Sequence, residues 1–208
     1  MMPFPRPQRD VKGAALALSL AAVLAGCASA PSDQFYTLSG GAAATAPAPA
    51  PGAPLYFEMR PVTVPAQVRR PQLVTSSSGG RVELEEHHRW AGPLADEIGG
   101  ALSLGIAAEL GAIDVYRSPA PKGSTLYRIG ANIQRFESAP GSYALVDAVW
   151  NVRKLDDSEV ITCRSVLREP VGAGYDALVA GHRAALAKLA AAIAAGVRAQ
   201  AEGRVPGC

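Results

Sequence analysis

The chain has 208 residues, 20 of them Lys or Arg and 18 Asp or Glu, so its formal net charge is +2. Hydrophobic residues make up 49% and charged residues 18%, a balance that excludes disorder along the whole length and fits one domain of ordinary size plus extra segments. A mean hydropathy of +0.11 with only 6% aromatics reflects many small apolar side chains, which excludes a polytopic membrane protein.

Arg6, Arg9 and Lys12 precede an uncharged run of 13 residues, Gly13 to Ala25. A basic head before so short an apolar run describes a secretory signal, because a spanning helix needs roughly 20 residues. The run closes on Leu24-Ala25-Gly26-Cys27, which resembles the bacterial lipobox. That resemblance implies a signal peptide over residues 1–26 and a mature chain starting at Cys27, which carries a covalent diacylglycerol and an N-acyl chain.

Removing residues 1–26 takes away three basic residues and one acidic residue and leaves 17 of each sign. No basic footprint remains, so nucleic-acid binding is not expected. Membrane attachment falls to the acyl chains, where each buried methylene contributes about 0.8 kcal/mol and two or three chains hold stably. Ala28 follows the cysteine where Asp would be the retention signal, and the sorting rule known for enterobacterial lipoproteins then implies the outer membrane, on its periplasmic face.

Residues 27–54 form the lipidated N-terminus and a linker. Phe35-Tyr36-Thr37-Leu38 is a short extended run, and Ser39 to Pro54 then carries no charge, with Pro47, Pro49, Pro51 and Pro54 among Ala and Gly. Alternate prolines favour polyproline II, so these 16 positions reach about 50 Å. The body stands off the membrane on this spacer unless Phe35 to Leu38 is pinned to the fold.

The folded domain is expected over residues 55–208. Leu55 to Val64 reads as a strand closed by Pro61 and Pro65; Gln72 to Thr75 and Arg81 to Glu86 flank a turn at Ser76-Ser77-Ser78-Gly79-Gly80. A helix follows, with Pro93 at its first position, Asp96 and Glu97 beside its positive end, and Leu94, Ile98, Leu102, Ile106 and Leu110 at helical spacing before Gly111. Gly99, Gly100 and Gly105 each weaken it by about 1 kcal/mol relative to Ala, which points to close backbone packing on the sheet.

Ile113 to Tyr116 is a short strand. Three longer ones alternate with period two: Ile129, Ala131 and Ile133 share a face, as do Val146, Ala148, Trp150 and Val152, and then Ile161, Cys163, Ser165 and Leu167. Turns at Pro140-Gly141 and Asp156-Asp157-Ser158 make this an antiparallel meander. A long Ala-rich helix, Tyr175 to Ala201, closes the domain, its stripe of Leu178, His182, Leu186, Leu189, Ile193 and Val197 lying on the sheet. The pattern describes an α/β domain bordering on α+β, with a mixed, largely antiparallel sheet and two main helices.

Five short motifs occur in order: Arg70-Pro71-Gln72-Leu73-Val74, Arg89-Trp90-Ala91-Gly92-Pro93-Leu94, Gln134-Arg135-Phe136, Trp150, and Tyr175-Asp176-Ala177-Leu178-Val179 with His182. Together they resemble the PqiC-type lipoproteins, the ABC-type transport auxiliary lipoprotein family. Gly92 stands where Glu is common in that family, and Ser76 where the strand often continues into Arg. The resemblance implies a three-layer fold and a role beside transporters of the MCE type, with an MCE-domain protein and ABC transporter subunits as partners. Homo-oligomerisation around such a partner is compatible with it.

Catalytic scaffolds are missing from the sequence. There is no Gly-x-Ser-x-Gly elbow, no Gly-x-Gly-x-x-Gly and no phosphate-binding Gly-rich loop ending in Lys-Ser/Thr, so the chain is read as not an enzyme, with no metal and no cofactor beyond its acyl groups. His87 and His88 on one strand point to opposite faces, which is poor geometry for one metal. His182, within an apolar stripe, reads as a satisfied buried histidine. Glu83, Glu85 and Glu86 read as the solvated face of a strand. Trp90 invites an interface reading beside Arg89, but a tryptophan before an amphipathic helix is more simply a core plug, and so is Trp150.

With Cys27 acylated, Cys163 and Cys208 remain. In an oxidising compartment they form either a disulfide tying the meander to the C-terminal tail or two free thiols, with Cys163 packed as a small hydrophobe. The expected function is that of a non-enzymatic, outer-membrane-anchored accessory of an MCE-type ABC lipid transport system, serving intermembrane lipid traffic and membrane integrity. The alternative is a periplasmic carrier sheltering acyl chains between helix and sheet, which requires a void there.

Overall fold

Alternating patterns and helical stripes condense into eight strands and two α-helices in the computed structural model, which describes residues 32–40, 55–204 and 208. In chain order these are β1 (Gln34–Tyr36), β2 (Tyr56–Met59), β3 (Gln72–Ser76), β4 (Val82–Trp90), α1 (Leu94–Leu110), β5 (Ile113–Asp114), β6 (Leu126–Ala139), β7 (Tyr143–Lys154), β8 (Val160–Pro170) and α2 (Tyr175–Ala201). The signal segment, Cys27 and residues 41–54 of the Pro/Ala run lie outside the described residues.

The strands form two mixed sheets where one was expected. A three-stranded sheet has the order β1-β4-β3, with β1 parallel and β3 antiparallel to β4. A five-stranded sheet has the order β5-β2-β6-β7-β8; β2 runs parallel to both its neighbours, and β6, β7 and β8 make the expected antiparallel meander. The fold is α+β, within the class the pattern describes.

β1 revises the reading of the N-terminal region. The compact unit begins at Asp33, and Leu38 is in the core, so Phe35 to Leu38 belongs to the fold. The proline-rich run therefore connects β1 to β2. It is not a spacer between anchor and body. β2 is also shorter than Leu55 to Val64: Pro61 and Pro65 lack the N–H that a ladder needs, and beyond Met59 only an isolated bridge, Thr63 to Asn132, continues the parallel pairing.

The helices bury stripes on the five-stranded sheet and on each other. α1 turns Leu94, Ile98, Leu102 and Ile106 inward, each contributing about 1.5–3 kcal/mol on burial. Pro93 caps this helix as the residue before its first turn, its carbonyl accepting from the backbone N–H of Asp96 and Glu97. Gly111, at φ 61°, ends it in the left-handed conformation that Gly alone adopts freely. Of the α1 glycines only Gly105 makes a close approach to α2, where its Cβ would sit 2.7 Å from that of Ala190, while a Cβ at Gly100 would meet Ser39 Oγ at 3.0 Å and one at Gly99 would meet Val62 at an ordinary 3.6 Å.

α2 packs along β6, β7 and β8. By length and composition it is apolar enough to cross a bilayer, yet Leu178, His182, Leu186, Leu189, Ile193 and Val197 are all buried within the domain. Opposite them β7 presents Ala144, Val146, Ala148, Trp150 and Val152, every one buried. β6 changes phase midway: register shifts between Ile133 and Arg135, so a bulge at Gln134 lets both Ile133 and Phe136 face the core.

Candidate functional site

The bulge delivers Phe136 and Ser138 to the underside of α2, where His182 is 0% exposed. The Phe136 and His182 rings stack with centroids 4.0 Å apart and 9° between planes. Trp90, from the end of β4, meets both edge-on, at 6.0 and 6.4 Å. His182 Nε2 lies 2.8 Å from the Ser138 hydroxyl, whereas Nδ1 has no hydrogen-bond partner among the described residues. The histidine is thus buried as expected but only half satisfied. Desolvation pushes its pKa down to about 3, so the ring is neutral at ordinary pH.

Five motif residues that are far apart in sequence therefore converge or plug the core nearby. Leu94 is buried at the start of α1. Trp150 is buried in β7, donating its indole N–H to Ser165 Oγ at 3.0 Å, and a Cβ at Gly196 of α2 would lie 2.9 Å from its ring. Trp90, Phe136 and His182 form the cluster just described. The core reading of both tryptophans agrees with their burial.

A second, wetter cluster surrounds β1. Tyr36 Oη lies 2.9 Å from His88 Nδ1, and the His88 ring stacks on Tyr175 at 3.7 Å. Tyr175 donates to Glu85 Oε2 at 2.7 Å, while Thr75 donates to Glu85 Oε1 at 2.7 Å. Burial, and then the hydrogen bond to the Glu85 carboxylate, push the Tyr175 phenol up to about 12. Glu85 is consequently a half-buried bridge between β3, β4 and α2, unlike exposed Glu83 and Glu86.

His87 points the other way, its Nδ1 3.0 Å from Asp33 Oδ1, with the Arg89 guanidinium 3.9 Å from the same carboxylate. The hydrogen bond from His87 holds the Asp33 carboxyl below its usual range. Further along, Glu97 accepts from Thr37 Oγ1 at 2.7 Å and from the Leu38 N–H at 2.8 Å. Arg183 of α2 reaches the Thr37 carbonyl at 2.7 Å. Where Gly92 leaves no carboxylate at the helix start, Glu97 one turn on supplies one. The Pro71 carbonyl accepts from the Trp90 N–H at 2.8 Å; Arg70 and Pro71 themselves are exposed.

Cys163 and Cys208 form a disulfide, with Cα atoms 5.6 Å apart, which ties the chain end to β8. No group of three or more His, Cys, Asp or Glu side chains suited to a metal occurs among the described residues. The space between helices and large sheet is filled by side chains such as Ile98, Leu102, Ile129, Leu186 and Leu189, none measurably exposed beyond 2%. A groove of about 580 Å³ runs between α1 and the segments after β2 and β5, but it is open and lined partly by Arg60, Asp96, Asp114 and Arg117. That lining does not suit an acyl chain.

The fold and its clusters define an α+β domain in which His88, Tyr36, Tyr175, Glu85 and Glu97 hold strands and helices together. Residues 36–194 match the family described as the ABC-type transport auxiliary lipoprotein component, and the chain belongs to that family. Among solved structures it is similar to the crystal structure of an uncharacterized protein, with TM-score 0.63 and 17% identity over 80% of this chain and 99% of that one. It is also similar to a Xanthomonas campestris protein of the DUF330 family, with TM-score 0.52 and 16% identity over 72% of this chain and 87% of that one. At such identities the likeness concerns the fold alone. No curated protein is significantly similar to the chain.

Proposed function

We propose that this chain is a non-enzymatic accessory of an MCE-type ABC lipid transport system, anchored to the periplasmic face of the outer membrane through acyl chains on Cys27. The observation that carries the reading is the family match over residues 36–194. The lipobox-like Leu24-Ala25-Gly26-Cys27 supports the anchor, with a diacylglycerol and an N-acyl chain on the cysteine. Engagement of Glu85, Tyr175, His88 and Glu97 in structural pairs supports a docking role over bond-making.

Acyl chains confine the domain to a plane, and confinement raises the effective concentration of its surface for a partner. A contact too weak in solution then suffices, by factors of roughly 10² to 10⁴. The partners are an MCE-domain protein and the transporter subunits, and copies of this chain can gather around them.

The test is Cys27→Ala in the native host. The variant is expected in the soluble periplasmic fraction, folded, with loss of membrane integrity to the level of a deletion. Full function of the soluble form contradicts the reading, as does turnover of any substrate by the purified protein alone.

A further inference from the structure

The five-stranded sheet has one face covered by helices and one facing solvent, and it ends in a long edge. β8 is the terminal strand of the order, 11 residues long, and no strand pairs with its outer side among the described residues. The opposite edge, β5, has 2 residues. Proteins blunt edges because unpaired N–H and C=O groups recruit further strands. Near the start of β8, Gln200 and Cys208 approach the Glu159 and Thr162 carbonyls, which leaves Arg164 to Pro170 as the open stretch.

On the solvent face β8 shows Val160, Thr162, Arg164, Val166 and Arg168, all exposed, with Val160 at 52% and Val166 at 54%. The neighbouring strands add Arg128, Arg135 and Arg153 on the same face, by their register with Val160 to Arg168. Three carboxylates share this face, each paired with one arginine: Glu58 with Arg128, Glu137 with Arg135 and Asp147 with Arg164. Arg153 and Arg168 have no carboxylate partner among the described residues, and the Arg168 guanidinium lies 3.6 Å over the Tyr143 ring.

We infer that the Arg164 to Pro170 edge accepts an extended acidic segment of a partner polypeptide as a sixth strand. Alternate residues of an added strand share a face, so carboxylates four residues apart would lie beside Arg164 and Arg168, with the residue midway between them, on the same face, apolar and near Val166. Simple edge protection accounts for the arginines but not for two valines half exposed on the same strand. A second copy is a poorer occupant, because pairing β8 with itself brings Arg164 and Arg168 against the same basic residues, and like charges directly opposite repel. The inference deepens the docking role proposed above and rests on it.

The probe is a fluorescent nine-residue peptide with Glu and Val in turn at its odd positions and Ser at its even ones, titrated against the full chain by anisotropy, with amide exchange read on β8. Saturable binding that protects amides between Arg164 and Pro170, and that weakens about tenfold in Arg168→Glu and again in Val166→Glu, supports the edge. Using two variants guards against a fold defect in either one. Equal binding of the same peptide with Lys in place of each Glu overturns the inference. So does protection that appears without peptide and grows with protein concentration, which marks a second copy, or tighter binding to phosphatidylglycerol vesicles that both variants abolish. If the peptide fails while the chain still co-fractionates with transporter subunits, the edge falls and the docking role stands; loss of co-fractionation with peptide binding intact does the reverse.

Discussion

The two faces of the five-stranded sheet use the same alternation for opposite ends. Under α2 the face holds Ala144, Val146, Ala148, Trp150 and Val152 with neutral, buried His182. The solvent face holds five arginines with three carboxylates, among them Asp147, whose side chain is 0% exposed beneath an Arg164 that is 62% exposed. One face is held by excluded water and shape, the other by charge pairing that water partly screens. Stability should therefore concentrate on the helix side and partner selectivity on the other.

Three measurements sharpen or break that contrast. Trp150→Ala should have the largest effect, about 4 kcal/mol in chemical denaturation, because it leaves a cavity against Gly196 that α2 cannot refill. A cost below about 1 kcal/mol would mean that the helix face is not tightly packed. Acid should come next. His182 has a folded pKa lowered to about 3 from 6.5, so the unfolded chain binds more protons between those values. The stability this group contributes is present above the unfolded pKa and falls as pH drops through it, by on the order of 3 kcal/mol by pH 4. His182→Gln should flatten that slope in a pH series of denaturation midpoints, and an unchanged slope would remove His182 as its source.

The smallest effect belongs to the solvent face. Arg164→Met should lower the denaturation midpoint by less than either change above, since it strands a buried carboxylate but removes an arginine that water already screens. Asp147 has its pKa lowered chiefly by the hydrogen bond from Arg164. The pair's contribution is therefore present above the ordinary Asp pKa and lost as pH falls below it, so wild type and variant should converge in acid. Asp147→Asn should cost less than Arg164→Met, because it leaves only an exposed guanidinium in water. The reverse order would show that the pair is held by something other than the buried acid.

Both helices, the meander and the burial of Trp90 and Trp150 were legible because each rests on a local period or on side-chain size. α2 runs over Tyr175–Ala201, the span its apolar stripe describes. Features that depend on distant partners were not legible. Phe35 to Leu38 reads as an extended run, but β1 is three residues long, too short for a periodic signal, and its place in a sheet depends on β4. The bulge at Gln134 has no Gly to mark it, so the phase change that brings Phe136 and Ser138 to His182 is invisible along the chain. Glu85 differs from Glu83 and Glu86 only through Thr75 and Tyr175. The unpartnered Nδ1 of His182 likewise has no sequence signal beyond a histidine in an apolar stripe.

The entry of the chain through β1 has a mechanical corollary. Between residue 27, where the acyl groups are proposed, and Asp33, where the compact unit starts, the backbone advances six residues, about 20 Å when taut. On the anchoring proposed above, a leash that short would hold the globule close to its bilayer. Any load pulled through such an anchor would then land first on Asp33 and the β1–β4 ladder, so detaching this strand, and not stretching a spacer, is how tension would reach the rest of the body.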